Sequence, residues 1–437
     1  MNAVQARLTQ ALTTLPEGAL WVGLSGGLDS TVLLHALAQL PAARARGLTA
    51  LHIDHGSSAL SPQWAALCHA LAQRLGVDYR CQRVCVDHST GLGLEAAWRS
   101  ARHAAFRALL PTPGVLALAQ HRDDQVETLL LRLLHGAGSE GLAAMRPLRP
   151  LHASQPGRWL WRPLLELPRA ELAHYARTHA LEFVDDPANA DPRHARSRVR
   201  HLLLPALRSV DADADARIAE AAMRLRQESD ALDSAAHALL AQAREQGAAA
   251  LACAPLRRAP SAVVRRALGL WLDALGLPRP PPGIWRQLHD ALIDARQDAS
   301  PELRWRGARL RRHGDRLYAD PGVDLPLPAP TPWDGTAPLE WGELRLEFDP
   351  PLRQPRNFLV RARRGGESIR QRGLLRSVKT LLHASGLPPW ERARLPLLLD
   401  ADHSLCAIGA QWPSDAFDAW LKAQGTRLCV TRLTPPD

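Results

Sequence analysis

From Leu20 to about Gln120, short apolar runs alternate with segments whose apolar residues recur at helical spacing. Residues 20–24, 48–53, 79–86 and 115–119 read as strands, and 31–40, 63–75, 94–110 and 126–134, which follow them in turn, read as helices. Strands that are apolar throughout, rather than at alternate positions, predict a parallel sheet covered on both faces. The expected fold class is therefore α/β, a doubly wound parallel sheet. In such sheets the ligand lies beyond the carboxyl ends of the strands.

Beyond Asp185 the strand signals fade. Residues 212–247 are rich in Ala, Leu, Arg and Glu at helical spacing, and 248–318 continue mostly helical across a proline-rich turn at 278–282. Residues 320–350 carry Pro321, Pro326, Pro328, Pro330 and Pro332, which favour an extended connector. A third unit of short strands and helices begins near Leu352. A chain of 437 residues is too long for one core. Three domains are expected: 1–212, the doubly wound sheet; 213–345, helical with a proline-rich linker; and 346–437, a small α+β domain.

Charge adds a partner class. The 54 Lys+Arg against 44 Asp+Glu leave +10, and Lys379 and Lys422 are the only lysines. Between Arg353 and Arg394 stand eleven basic residues, ten Arg and Lys379, against Glu367 and Glu391, which localises +9 of that excess. Such a stretch suits phosphate contacts that position a nucleic acid; the plainer alternative is a solvated face in an arginine-rich chain. Arg196, Arg198 and Arg200 form a smaller basic cluster.

Six cysteines, at 68, 81, 85, 253, 406 and 429, form no C-x-x-C pair, which argues against a disulfide framework. Cys81 and Cys85 with His88 lack the paired spacing of a zinc site. No run approaches the roughly 20 apolar residues of a membrane span, and the N-terminus lacks a secretory pattern. A cytoplasmic protein with no membrane partner is expected.

The sharpest chemical signal is Ser25-Gly26-Gly27-Leu28-Asp29-Ser30, directly after the first strand and before an apolar helix. Its glycines let the backbone approach an anion, and the helix start offers unpaired N–H groups. It is neither a Walker A loop, since lysine and spacing are missing, nor a dinucleotide fingerprint. The plainer alternative is a strand–helix turn capped by Asp29 or Ser30.

This loop resembles the SGGxDS loop of the PP-loop, or N-type, ATP pyrophosphatases. With it stand His52-Ile53-Asp54-His55-Gly56 at the second strand's end, the stretch from Gly93 to Arg102, and His121-Arg122-Asp123-Asp124-Gln125-Val126-Glu127-Thr128 after the fourth strand. Together these resemble one subfamily, the tRNA(Ile)-lysidine synthetases. Arg162-Pro163-Leu164-Leu165, Asp185 to Asn189 and Arg196 to Leu204 continue the likeness. So do Arg361 to Glu367, Lys379, Pro388-Pro389, Arg392 to Leu397 and Gly409.

The resemblance implies a PP-loop ATPase domain, a helical substrate domain and a basic C-terminal tRNA-binding domain. It implies that ATP adenylates the carbonyl oxygen at position 2 of the wobble cytidine in an isoleucine tRNA with a CAU anticodon. Free L-lysine then displaces AMP to give lysidine, which shifts decoding from AUG to AUA and charging identity from Met to Ile. The implied cofactors are ATP and Mg2+, and a homodimer is open.

Carried over by position, Ser25, Gly26, Gly27, Leu28, Asp29, Ser30 and Ile53 bind ATP, with Asp29 also the magnesium partner. Asp29, Arg102 and Asp124 are the catalytic candidates. Arg102, with Arg99, suits the electropositive surroundings an activated carbonyl oxygen needs; Asp124 suits lysine binding, and Gln120 and His121 complete the transition-state candidates. Plainer alternatives are a solvated helix face for the arginines and a helix cap for Asp123 and Asp124. Arg196, Arg200, Arg361, Arg363, Arg364, Lys379, Arg392 and Arg394 are the tRNA candidates.

Three positions depart from the family pattern: Gln120 stands where many members have histidine, Ser197 where asparagine is usual, and His135 where arginine is usual. The rival within the superfamily is a tRNA thiolase, which needs a reactive cysteine. The rival from another class is a non-catalytic nucleotide-binding adaptor.

Overall fold

The structure is a computed structural model that describes residues 2–54, 56, 60–84, 94–152, 156–184, 195–244, 250–296 and 299–433, with the side chains of 94–96 excepted. The chain divides into two compact units, Met1–Asp294 and Ala295–Asp437.

The first unit is built on a six-stranded sheet: β1 (Ala19–Gly23), β2 (Thr49–Asp54), β3 (Asp78–Arg83), β4 (Gly114–Ala117), β5 (Leu148–Pro150) and β6 (Arg158–Trp161). Their order is β3-β2-β1-β4-β6-β5, parallel except for the final β5–β6 pair. Leu20 and Val22 on β1 are fully buried, as is every residue of β4, because both faces are covered. One face packs Val32, Leu33, Leu37, Cys68 and Leu71 against the sheet, and the other packs Phe106, Leu110 and Leu116.

Chain order reverses between β1 and β4, which are neighbours in space but separated by β2 and β3 in sequence. The loops leaving their carboxyl ends therefore diverge and open a crevice, the usual ligand position in a doubly wound sheet. Ser25 to Gly27 leave β1 and Leu118 to His121 leave β4, so the two sharpest motifs meet there.

The doubly wound sheet stands as expected, with two additions. Strands β5 and β6 extend it, although Arg158 and Arg149 hid them from an apolar-run reading. Helix Ala3–Leu12 precedes β1 and buries Val4 and Leu8.

The helical expectation holds from Ala214–Ala243 through Pro282–Leu288 but fails after that. Glu302–Trp305, Ala308–His313 and Arg316–Asp320 are antiparallel strands. Arg309 and Arg312, on opposite faces of the middle strand, are both buried. Arg309 is bonded to Asp320 and Asp324, so the buried positions do not read as apolar alternation.

The connector is likewise shorter than 320–350. Thr331–Trp333, Leu339–Trp341 and Leu344–Asp349 are strands, and Trp333, Trp341, Leu346 and Phe348 share one core with Phe358, Phe417 and Leu428. Pro332 is tolerated because its strand lies at a sheet edge. Around that core stand five- and three-stranded sheets, the hairpin Ser368–Gln371/Leu374–Ser377 and helix Asp415–Gln424. This is the expected small α+β end.

Candidate active site

The loop after β1 is held open from within. Gly26 has φ +84°, and a Cβ there would meet Cys68 Sγ at 3.2 Å, so the position requires glycine. Ser30 Oγ accepts the Ser25 N–H at 3.1 Å, contacts Ser25 Oγ at 3.0 Å and donates to the Gly27 carbonyl at 3.0 Å. Helix Leu28–Ala38 starts from Gly27 with no side-chain cap, so neither Asp29 nor Ser30 is spent as one. The helix start, with its unpaired N–H groups, faces the crevice.

His121 closes the other side. It is 2% exposed, and its Nε2 lies 3.6 Å from Asp29 Oδ2 and 3.5 Å from Asp124 Oδ2, while Nδ1 lies 3.8 Å from Asp123 Oδ1. Burial works against the imidazolium, but contact with Asp29 and the charges of Asp124, Asp29 and Asp123 outweigh it and raise its pKa. Asp124 also accepts the His121 N–H at 3.1 Å, so its helix-cap role holds without consuming its second oxygen. Asp29 Oδ1 is buried without a hydrogen-bond partner, an oxygen suited to a hard cation.

One turn along helix Arg122–Leu134, Glu127 is 1% exposed and bound by two cations. Arg200 reaches it bidentately at 2.7 and 3.2 Å, and Arg196 stands 3.3 Å away while also donating to Thr128 Oγ1 at 3.2 Å. Burial raises the Glu127 pKa against the pull of Arg200. Arg196 and Arg200, expected to face RNA, are thus engaged at the site itself.

Beyond β4, Gln120 Oε1 accepts from Arg162 Nε at 3.0 Å. Arginine has no acceptor, so the Gln120 oxygen must face Arg162, and its N–H2 is left as donor. Arg162 is buried, and burial together with Arg149, Arg99, Arg132 and Arg226 brings its pKa down to about 9. His103 is pushed down to about 4 by burial and then by Arg102, Arg99, Arg149 and Arg162. Arg99 and Arg102 stand exposed on helix Leu94–Leu109, and Arg196 is near enough to repel Arg102. The crevice therefore has an acidic wall, Asp29, Asp123 and Asp124, and a cationic one.

Ile53 lies at the carboxyl end of β2, and the adjacent His52 is buried with its ring bonded to the Leu24 carbonyl at 2.8 Å, a structural histidine. His55, Cys85, His88 and residues 185–189 lie outside the described residues. Sequence reasoning gave no role to Glu127, Arg162 or Arg169. Two of them carried a signal: Arg162 opens the Arg162-Pro163-Leu164-Leu165 block of the resemblance, and Glu127 is a charge on the stripe that buries Val126 and Leu130.

In the second unit the basic candidates separate. Arg364 and Lys379 are exposed. Arg361 is bonded to Glu367 at 2.9 Å, Arg363 stands 3.7 Å from the same carboxylate, and Arg394 donates to the Leu325 carbonyl. Arg392 is 9% exposed, donates to the Leu387 carbonyl and faces His313 at 3.3 Å, so its guanidinium is part of the fold and is withdrawn from the RNA-facing set.

Three families match the chain: a PP-loop domain over residues 1–207, a TilS substrate binding domain over 251–318 and a TilS substrate C-terminal domain over 358–430. The tRNA(Ile)-lysidine synthase of Xanthomonas axonopodis pv. citri (strain 306) is 41% identical over 428 residues, 96% of each chain. The chain belongs to the tRNA(Ile)-lysidine synthase family. The Pseudomonas aeruginosa tRNA(Ile)-lysidine synthase is also 41% identical, over 92% of each chain. Among solved structures, the U34-tRNA thiolase NcsA from Methanococcus maripaludis with its [4Fe-4S] cluster has TM-score 0.41 at 18% identity, covering 51% of this chain and 78% of that one. A likeness of that size bears on neither chemistry nor substrate. In this tRNA(Ile)-lysidine synthase family member the PP-loop domain holds the whole crevice, and the C-terminal domain carries Arg364 and Lys379. No helix among the described residues is long and apolar enough to cross a membrane.

Proposed function

We propose that this chain uses ATP to ligate L-lysine to the wobble cytidine of tRNA(Ile) with a CAU anticodon. The single observation that carries the reading is the meeting of the phosphate loop with the Asp29–His121–Asp124 group at the switch point between β1 and β4.

In the first step the cytidine O2 attacks the α-phosphorus of ATP. A new P–O bond forms, the bond to the β-phosphate oxygen breaks, and its electron pair leaves with pyrophosphate. Ser25, Gly26, Gly27 and Ser30 hold the phosphate oxygens, and Leu28 and Ile53 border the nucleotide. Asp29, whose Oδ1 accepts no hydrogen bond, is the residue that would hold Mg2+, which when bound offsets phosphate charge. Arg102 and Arg99 would supply the electropositive surroundings that favour the resonance form of the cytosine in which O2 carries negative charge, and the Gln120 N–H2 adds a donor.

In the second step an amino group of lysine attacks C2, AMP departs with the C–O electron pair, and the amine gives up a proton. Asp124 holds the incoming ammonium, and the adjacent carboxylates provide acceptors for the proton. Glu127, fixed by Arg196 and Arg200, lies one turn further along the same helix and sets the rear of that pocket.

Cys68, directly beneath Gly26, supports no thiolase reading: burial and the neighbouring Cys81 push its pKa up to about 12. The test is transfer of labelled L-lysine to CAU-anticodon tRNA with ATP and Mg2+, following AMP release in parallel. Lysine that remains tRNA-bound through mild alkali is the expected result; label lost like an aminoacyl ester contradicts it.

A further inference from the structure

The phosphate loop contains no lysine, and neither lysine of the chain is near it in sequence. A magnesium ion offsets only part of a triphosphate's charge, so the departing pyrophosphate needs a protein cation as well. Two basic side chains contact Asp29 among the described residues: His121 and Arg169. His121 is buried and enclosed by Asp29, Asp123 and Asp124.

Arg169 is placed differently. Its Nε stands 3.6 Å from Asp29 Oδ1, its side chain is 52% exposed, and its guanidinium has no hydrogen-bond partner among the described residues. The backbone beneath it is fixed. The Arg169 N–H donates to Asp123 Oδ1 at 3.1 Å, the Arg122 N–H donates to the Leu167 carbonyl at 2.8 Å, and Pro168 starts helix Arg169–Thr178. That helix is tied to helix Leu28–Ala38 by His35 Nδ1 and Tyr175 Oη, 2.9 Å apart. A planar donor fork on a rigid base, beside the phosphate cradle, matches phosphate oxygens bidentately. As a partly exposed ion pair with Asp29 alone it contributes little to stability.

We propose that Arg169 is a catalytic residue that grips the β- and γ-phosphates of ATP and the pyrophosphate that leaves. It neither gives nor takes a proton; the electron pair of the breaking P–O bond goes to pyrophosphate, whose charge Arg169 meets. This role rests on the adenylation reading and deepens it.

The test is calorimetric binding of Mg-ATP, Mg-pyrophosphate and AMP to the full chain without tRNA. Arg169→Ala should weaken ATP and pyrophosphate by about tenfold to a hundredfold, the scale of a charge-assisted hydrogen-bond pair. AMP, which lacks both outer phosphates, should bind as before, and Arg169→Lys should recover part of the loss. Wild-type ATP affinity in the alanine variant overturns the role, as does an equal loss for AMP, which would mark a structural effect. A wild-type chain that binds no ATP overturns the adenylation reading together with this role.

Discussion

His121 Nε2 lies 3.6 Å from Asp29 Oδ2, although one residue follows β4 and the other follows β1. The contact joins the phosphate loop to the carboxylates proposed to receive lysine, and it gives His121 a pKa above the ordinary imidazole value of 6.5.

A raised folded-state pKa fixes the sign of a pH effect. Charged His121 stabilises the fold below the unfolded value, and that contribution is lost as pH rises through the folded-state value. Asp29→Asn should lower the His121 pKa in an NMR titration and should abolish AMP formation. An unchanged titration would contradict the geometry, and normal AMP formation would contradict the proposed metal-binding role of Asp29.

Glu127→Ala should destabilise the first unit by about 2 kcal/mol. That is less than the ~3–5 kcal/mol of breaking a fully buried pair, because Arg196 and Arg200 are each over a third exposed and water recovers part of the loss. Thermal melting reads this directly. If Glu127 also backs the lysine pocket, Glu127→Gln should raise KM for lysine more than KM for ATP; equal effects would remove that role.

Arg364→Glu and Lys379→Glu, both at exposed positions, should weaken tRNA binding and reduce the slope of log K against log salt by about 1 for each lost contact. Arg392→Ala should instead lower the melting temperature of the second unit, since its guanidinium is engaged by Leu387 and His313. Filter binding across a salt series separates the two. An unchanged slope in both charge reversals would sink the RNA-surface assignment.

Gln120→Glu turns a donor into an acceptor-only carboxylate beside Arg162. It should slow tRNA-dependent AMP formation while leaving ATP affinity unchanged, and Gln120→Asn should retain more activity than the glutamate variant. The reverse ranking would show that the amide N–H2 has no part in the reaction.

Much of the sheet was legible because the buried strands are continuously apolar, and the loop was legible because Gly26 needs a positive φ that few residues adopt. The strands from Glu302 to Asp320 were hidden because Arg309 and Arg312, paired or carbonyl-bonded inside, score as surface residues in any pattern. Trp333, Trp341 and Phe348 belong to a core that the prolines of 320–350 masked. At the site, Asp29, His121 and Asp124 sit in short motifs that sequence can show. Arg162 and Arg169 come from a later segment, and only the folding of β6 and the following helix against β4 and Asp29 gives them partners. Arg392 shows the opposite error, a basic residue counted toward a surface patch that the fold uses internally.

The central claim is that the oxygen at position 2 of the wobble cytidine is adenylated before lysine arrives, so that this oxygen leaves with AMP. Carrying 18O at that position of the CAU-anticodon tRNA through a single turnover with ATP, Mg2+ and L-lysine, then analysing AMP by mass spectrometry, tests it directly. One 18O in the phosphate of AMP for each lysine incorporated is the predicted result. AMP free of the label, with lysine nonetheless attached, would contradict the account.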